Sequence, residues 1–268
     1  MAIMAFYQKE TFSRLITAII LLPLLLVLIM GGIPAMILAL GFVLFMSGEL
    51  LISVTNGRIN GRFLCALTAT GLPALVAFLG IELGWQSSAL AMMQTLAWSA
   101  LVIGGIFVFR HISGIIMLLG LSLLGWSLVQ LLSLADGGIW LALCLVTVAV
   151  VDTMGYLAGR KFGGPKLCPA ISPAKTWSGA IAGIIFSPLP LLAYYLWYDK
   201  PLLPVWFALG IGVISILGDL MESWFKRCHH IKDIGHILPG HGGLLDRFDG
   251  SVLAVPLLYA LLVMGWTI

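Results

Sequence analysis

The sequence predicts an all-α integral membrane protein, and three observations support this fold class. Of the 268 residues, 61% are hydrophobic and only 9% are charged, and the mean hydropathy is +1.11. A surface rich in charged residues, which keeps a protein in solution, is therefore missing. The apolar segments are long and do not alternate with polar residues, which is the pattern of spanning helices and not of barrel strands.

Nine apolar segments are long enough to cross a bilayer, which takes about 20 residues per helix. We place these spans at residues 15–31, 33–54, 63–81, 88–109, 112–135, 138–158, 178–198, 201–222 and 251–267. Neighbouring spans at the beginning and in the middle of the chain lie close together, so their bounds are approximate to within several residues. We expect about nine transmembrane helices.

The positions of lysine and arginine predict how these spans are oriented. If the N terminus is cytoplasmic, thirteen of the fourteen basic residues fall in cytoplasmic segments and only Lys200 falls outside. This asymmetry follows the positive-inside rule. It predicts a multi-pass protein of the cell inner (plasma) membrane, with the N terminus cytoplasmic and the C terminus outside. The net charge of +3 follows from this topology and gives no argument for binding nucleic acid.

Polar residues are concentrated in the C-terminal half of the chain. Residues 219–249 contain nine of the 25 charged side chains and four of the five histidines. The loop at 159–177 adds four cations without an acid. We therefore divide the chain into residues 1–137, with about five spans, and residues 138–268. The second region contains two cytoplasmic loops, 159–177 and 223–250, and is the expected catalytic region.

Three carboxylates interrupt apolar spans, at Glu49, Asp152 and Asp219. A carboxylate at the centre of a membrane helix costs about 2.5–3.5 kcal/mol, so it normally faces a cavity or a partner. We expect such a role for Asp152 and Asp219, because both lead directly into basic loops. For Glu49 the sequence leaves two readings open: it faces a cavity or a partner, or it caps a helix or meets headgroup water.

A polar strip extends the eighth span into the loop that follows. If the helix continues through LGDLMESWFKRCHH, residues at offsets of four, seven and eleven share one face. These residues are Asp219, Ser223, Lys226 and His230. The glycines of KDIGHILPGHGG then favour turns. LLDRFDG can begin the ninth span, with Asp246 and Asp249 three residues apart and hence on one face.

Three aspartates, Asp219, Asp246 and Asp249, could therefore converge at the cytoplasmic interface. Carboxylates suit Mg²⁺, a hard cation that shares its coordination shell with water and substrate phosphates. Nearby cations and backbone N–H groups of glycine turns would bind further phosphate oxygens. The pattern indicates phosphoryl or nucleotidyl transfer. A solvated loop that anchors the protein at the membrane surface has a similar composition, whereas the adjacent Cys228, His229 and His230 are poorly spaced for zinc.

The residues from 223 to 249, called here the signature segment, resemble the signature of the phosphatidate cytidylyltransferases, or CDP-diacylglycerol synthases. The match has no gap and comprises Ser223, Lys226, Arg227, Lys232, Asp233, Gly235, Leu238, Pro239, His241, Gly242, Gly243, Asp246, Arg247, Phe248 and Asp249. Residues 172–179 are similar to the SPKKTxEG segment of that family, with Ala174 in place of a lysine and Ser178 in place of a glutamate. The resemblance covers roughly residues 150–268.

This resemblance implies that the protein transfers the cytidylyl group of CTP to phosphatidate in phospholipid biosynthesis. The products are CDP-diacylglycerol and pyrophosphate, and the cofactor is Mg²⁺, with room for a second cation. The implied catalytic residues are Asp219, Lys226, Asp246 and Arg247, and the implied metal ligands are Asp219, Asp246 and Asp249. The implied substrate-binding residues are Ser172, Lys175, Thr176, Ser223, Arg227, Lys232, Asp233, His241, Gly242 and Gly243. The partners are CTP, phosphatidate and membrane lipid but not nucleic acid, and the N-terminal spans could also form a homodimer surface.

Three alternatives stay open at this point. A CTP-dependent polyprenol or phytol kinase would have related loops, but its neutral alcohol acceptor would need a general base. A proton-coupled transporter would also carry acids in glycine-rich spans, although its polar residues would lie at the membrane midplane and not at one face. Ala174 and Ser178 raise the third alternative, a diverged relative without activity.

Overall fold

The computed structural model describes residues 23–55, 57, 59–109, 111–198, 205–235 and 242–264. Residues 23–30 are helical. The following helices are α1 Gly32–Thr55, α2 Gly61–Glu82, α3 Ser87–Val108, α4 Ile112–Leu132, α5 Gly137–Phe162, α6 Trp177–Phe186, α7 Leu189–Tyr198, α8 Val205–Cys228, α9 Leu245–Phe248 and α10 Ser251–Val263. An antiparallel hairpin of β1 (Lys166–Cys168) and β2 (Ser172–Thr176) lies between α5 and α6.

Seven helical segments of the described chain are long and apolar enough to cross a membrane. They are α1, α2, most of α3, α4, α5, the α6–α7 pair and α8, and they correspond to the second to eighth predicted spans. The protein is therefore a helical integral membrane protein, as predicted. Helix α10 is shorter, at 13 residues, and the predicted spans 15–31 and 251–267 lie partly outside the described residues. The count of nine spans and the orientation of the termini stay predictions.

The seventh predicted span is broken into α6 and α7 around Ser187 and Pro188. Proline has no backbone N–H, so Pro188 and Pro190 cannot donate to the preceding turn, although both are tolerated where a new helix begins. The Ser187 hydroxyl contacts two carbonyl oxygens, those of Ile184 at 2.7 Å and Ala208 at 2.9 Å. The second contact holds the break against α8.

The loop predicted at 159–177 is more regular than the sequence indicated. Helix α5 extends to Phe162, and the chain then reverses at Gly163 (φ 60°) and Gly164 (φ 100°). These backbone conformations are strained for any residue with a side chain. The hairpin follows, with Lys166 opposite Thr176 and Cys168 opposite Ser172.

Close packing of helices brings the polar residues to one end of the bundle. A Cβ added to Gly179 of α6 would lie 2.5 Å from the carbonyl oxygen of Gly155 in α5. A Cβ on Gly218 of α8 would lie 2.8 Å from the carbonyl oxygen of Asp249. Small residues allow membrane helices to approach this closely. As a result, the end of α5, the hairpin and the end of α8 surround a common space, and the turn before α10 lies against α8.

Candidate active site

A cavity of about 650 Å³ opens between α5, α6, α8 and the hairpin. Small-molecule sites typically measure roughly 300–1,000 Å³. The charged residues of its lining are Asp152, Arg160, Lys166, Lys175 and Asp219. Apart from Tyr156 and Thr176, the rest of the lining is glycine or apolar. The cavity thus combines cations that can bind phosphate with carboxylates that can bind a metal ion.

Asp219 belongs to a group that we call the aspartate cluster, formed by Asp152, Asp219 and Asp249. Lys175 of β2 forms an ion pair with Asp219, and the Ser223 hydroxyl donates a hydrogen bond to Asp219 at 3.3 Å. Asp152 and Asp249 both lie within electrostatic reach of Asp219 and Lys175. Three carboxylates therefore share the charge of Lys175.

The aspartate cluster has more negative charge than Lys175 can balance. Burial, followed by the negative charge of Asp219, raises the pKa of Asp249 to about 7. The hydrogen bond from Gly250 and the charge of Lys175 lower the pKa of Asp249, but they do not restore its ordinary value. A bound cation would favour the ionised form of such a carboxyl group. The electrostatics of this end of the cavity therefore favour cation binding.

Asp246 lies in a second group, the Lys226 cluster, formed by Lys226, Glu222 and Asp246. The Lys226 ammonium contacts Glu222 at 2.8 Å and Asp246 at 3.1 Å. Asp246 also accepts hydrogen bonds from the backbone N–H groups of Ile234 at 3.1 Å and Gly243 at 2.9 Å. Burial opposes ionisation, but hydrogen bonds with the Glu222 side chain and the Gly243 N–H, together with the charge of Lys226, lower the pKa of Asp246. Asp246 therefore connects Lys226 of α8 with Ile234 and Gly243, which lie on the two sides of the loop between α8 and α9.

The sequence predicted that Asp246 and Asp249 would share one face, and the backbone is compatible with this, because Leu244, Asp249 and Gly250 on either side of α9 have right-handed helical φ and ψ angles. The two side chains nevertheless have different partners. Helix α9 ends at Phe248, so Asp249 belongs to the turn before α10. Asp246 contacts Lys226, whereas Asp249 lies near Asp219. Among the described residues, no three His, Cys, Asp or Glu side chains form a ready-made metal site. The predicted three-aspartate metal centre thus stays a proposal.

The predicted phosphate-binding cations of the signature segment contact other groups of the protein or are exposed. Two carboxylates balance the charge of Lys226. Arg227 donates from Nε to the carbonyl oxygen of Ile171 at 3.2 Å, which fixes the hairpin turn to the end of α8. Lys232, Asp233 and Arg247 are also exposed on the surface of the segment.

The hairpin residues have structural contacts of their own. The Thr176 hydroxyl lines the cavity and accepts a hydrogen bond from the N–H of Gly179, so it caps α6. The Ser178 hydroxyl, at the position of the family's glutamate, donates to the carbonyl oxygen of Gly163. Ala174 lines the cavity where the family's lysine would add a charge.

The remaining predicted binding residues are distributed over the two loops. Ser172 is half-buried in β2, outside the lining of the cavity. Gly242 adopts a φ of 79°, and a Cβ on Gly243 would lie 2.8 Å from the backbone nitrogen of Gly235. These glycines therefore form the base of the loop beside Asp246. His241 lies outside the described residues.

Four charged residues near the site were not assigned from the sequence: Arg160, Lys166, Glu222 and Glu49. The contact of Glu222 with Lys226 could have been predicted from the sequence, since Glu222 precedes Lys226 by four residues on the same helix. Arg160 is one of the four cations of the first loop. Glu49 was noted as an intramembrane acid, but its partner lies 196 residues away. No local pattern identifies such a partner.

The bundle of membrane-spanning helices and the charged cavity at one end define a membrane-embedded protein with a site for a polar ligand. The model of the cytidylyltransferase family matches residues 12–264. The phosphatidate cytidylyltransferase of Staphylococcus aureus (strain COL) is 33% identical over 271 residues, which cover 96% of this chain and 100% of the relative. The phosphatidate cytidylyltransferase of Staphylococcus haemolyticus (strain JCSC1435) is 32% identical over 270 residues, which cover 96% of this chain and 99% of the relative. The phosphatidate cytidylyltransferase of Brucella abortus biovar 1 (strain 9-941) is 47% identical over 114 residues, which cover 40% of this chain and 41% of the relative.

The chain belongs to the phosphatidate cytidylyltransferase family. It is accordingly an enzyme, a nucleotidyltransferase. The resemblance noted in the signature segment is thereby confirmed, and the match extends through the N-terminal half as well.

Proposed function

We propose that this protein transfers the cytidylyl group of CTP to phosphatidate at the cytoplasmic face of the inner (plasma) membrane. The observation that carries the proposal is the cavity of mixed charge at one end of the spanning helices. A lipid phosphate lies at the level of the headgroups, while CTP is dissolved in the cytoplasm. Both substrates can reach such a site without crossing the hydrocarbon core.

The proposed reaction joins two anionic reactants. A phosphate oxygen of phosphatidate attacks the α-phosphorus of CTP, and the bond from this phosphorus to the oxygen bridging the α- and β-phosphates breaks. The electron pair of that bond leaves with pyrophosphate, and the new lipid is CDP-diacylglycerol. The attacking oxygen is already anionic near neutral pH, so no strong base is needed. The protein's task is to align the reactants and to neutralise their charge.

We assign the phosphate-binding role mainly to Lys175, Arg160 and Lys166, because these cations line the cavity. Lys175 contacts Asp219, which lines the same cavity and belongs to the aspartate cluster. The backbone N–H groups near Gly242 and Gly243 and the Ser223 hydroxyl remain proposed substrate contacts. Lys226, Arg227 and Thr176 would act mainly by ordering the two loops, given their contacts within the protein.

Mg²⁺ fits the oxygen ligands of the aspartate cluster. This ion usually takes one or two carboxylates and completes its shell with water and substrate phosphates, so a complete cage of protein ligands is not required. Asp219 and Asp249 would hold the ion, and Asp246 would join them by giving up one of its present bonds. When bound, the ion would neutralise negative charge on the reacting phosphates.

Methionine substitutions at Lys175 and Lys226 should separate substrate binding from loop folding. We expect Lys175→Met to raise the KM for CTP by about tenfold or more, because a hydrogen bond to a charged group is lost. Lys226→Met should instead lower the melting temperature, because two carboxylates with exposed side-chain fractions of 0% and 7% lose their cationic partner. Removing one partner of a buried ion pair costs about 3–5 kcal/mol. Steady-state kinetics and thermal unfolding in detergent measure both effects. A stable Lys226→Met with a raised KM, beside an unaffected Lys175→Met, would reverse these assignments.

The proposed function is tested with purified protein in detergent, CTP labelled at the α-phosphorus, Mg²⁺, and either phosphatidate or a polyprenol. We expect a labelled lipid, separated by thin-layer chromatography, that requires both phosphatidate and Mg²⁺. Labelled CDP that appears only with the alcohol would identify a kinase instead. No reaction with either acceptor would identify a relative without this activity, and both results contradict the proposal.

A further inference from the structure

Helix α1, in the N-terminal half, holds both ends of α9 in the signature segment. The Glu49 carboxylate accepts a hydrogen bond at 3.1 Å from the backbone N–H of Leu245, the first residue of α9. Phe42, two helical turns earlier on the same face of α1, packs edge-to-face against Phe248, the last residue of α9, with ring centroids 5.2 Å apart. Asp246 lies between these two points of contact.

The surroundings of Glu49 exclude the reading in which it meets headgroup water. Its side chain is buried, with 3% of the residue exposed, and it lies within α1 and not at the helix end. Leu245 is fully buried as well. A buried backbone N–H needs an acceptor, because leaving it unpaired is costly. The Glu49 side chain supplies that acceptor from the other half of the chain.

The second carboxylate oxygen of Glu49 also faces the loop. Oε1 is buried and has no hydrogen-bond partner among the described residues. A Cβ added to Gly235 would lie 2.5 Å from this oxygen and 3.0 Å from the Cα of Gly243. The carboxylate therefore lies against the base of the same loop whose two sides donate to Asp246. A buried carboxylate is tolerated in a membrane helix when its contacts require it.

We propose that Glu49 is a positioning residue, whose carboxylate oxygen fixes α9 and thereby the placement of Asp246 beside Lys226. Helix α1 holds α9 on one side, and Lys226 of α8 holds Asp246 on the other. The role depends on a hydrogen-bond acceptor at the correct distance and not on the charge of the carboxylate. The consequence for turnover rests on the proposed function, whereas the consequence for the order of the loop does not.

Four variants of α1 test this role by changing either the length of the side chain that carries the acceptor oxygen or its charge. Glu49→Gln keeps an acceptor oxygen at the same reach without the charge, whereas Glu49→Asp keeps the charge and withdraws the acceptor by one methylene. Glu49→Ala removes both. The matched control is Ser47→Ala, because Ser47 is equally buried on α1 and bonds only to the carbonyl oxygen of Val43 in its own helix among the contacts described.

We expect Glu49→Ala and Glu49→Asp to increase hydrogen–deuterium exchange in the peptide covering residues 243–250 by about tenfold, since a local contact that opposes opening is lost. Their kcat should fall by about tenfold or more, with the KM for CTP changed less than about threefold, because Glu49 contacts the loop and not the cavity. Glu49→Gln and Ser47→Ala should match the wild type in both measurements.

The outcomes are decisive even if one variant fails to fold. If Glu49→Ala is unstable, the comparison of the aspartate and glutamine variants decides. The proposal is overturned if Glu49→Asp shows the exchange and the kcat of the wild type. It is also overturned if Glu49→Gln is as impaired as Glu49→Asp, because the charge of the carboxylate would then be required. If the wild-type protein itself does not transfer cytidylyl groups to phosphatidate, the proposed function fails, and the exchange data alone decide the role of Glu49.

Discussion

Asp246→Asn should reduce turnover by at least about 100-fold, because several charge-assisted contacts and a proposed metal ligand are lost together. The present carboxylate uses both oxygens: Oδ1 contacts Lys226 at 3.1 Å, and Oδ2 accepts from Gly243 at 2.9 Å and Ile234 at 3.1 Å. Asparagine offers one acceptor oxygen. Its amide group must therefore face either the lysine or the two backbone donors, and the base of the loop can no longer close in the same way.

The matched control for this substitution is Asp136→Asn. Asp136 is exposed in the turn before α5, at the end of the bundle away from the cavity, and its φ of 59° is one that asparagine tolerates. We expect this control to have wild-type activity. Size-exclusion chromatography and thermal unfolding should show that both variants are folded. An Asp246→Asn enzyme that retains more than a few per cent of the wild-type rate would remove Asp246 from the proposed machinery.

The spans could be predicted because each apolar segment is bounded by charged or turn-forming residues. The extension of α8 beyond the membrane was predictable as far as Lys226. The prediction that the helix continues to His230 was wrong, because the helix ends at Cys228 and His230 has a left-handed φ of 55°. The hairpin could not be predicted from residues 166–176 alone. Its order depends on contacts with distant parts of the chain, such as Arg227 with Ile171 and Ser178 with Gly163.

The sequence assigned Lys175, Asp219, Asp246 and Asp249 to the candidate site, but it did not predict how these residues pair. Helical spacing alone placed Asp246 and Asp249 on one face. It could not show that the close approach of Gly218 to the carbonyl oxygen of Asp249 holds this stretch against α8. The contact of Glu49 with Leu245 joins positions that only the tertiary structure brings together.

Asp219→Asn is expected to have the second large effect, because Asp219 links the cavity to the aspartate cluster. It pairs with Lys175 and accepts from Ser223. Removing its charge leaves Lys175 without this partner and weakens the proposed cation site. We expect turnover to fall at least about 100-fold, and the Mg²⁺ concentration for half-maximal activity to rise by about tenfold or more, as for the loss of a group that supports a metal site.

Activity measured against Mg²⁺ concentration distinguishes a metal ligand from a partner of Lys175. If Asp219 binds the ion, Lys175→Met should leave the Mg²⁺ dependence near that of the wild type, while Asp219→Asn shifts it. If Asp219 serves only to orient Lys175, the two variants should share a raised KM for CTP, and the double variant should be no worse than either single one, because coupled residues are not additive. An unshifted Mg²⁺ dependence in Asp219→Asn would therefore assign the ion to other groups and leave Asp219 as the partner of Lys175.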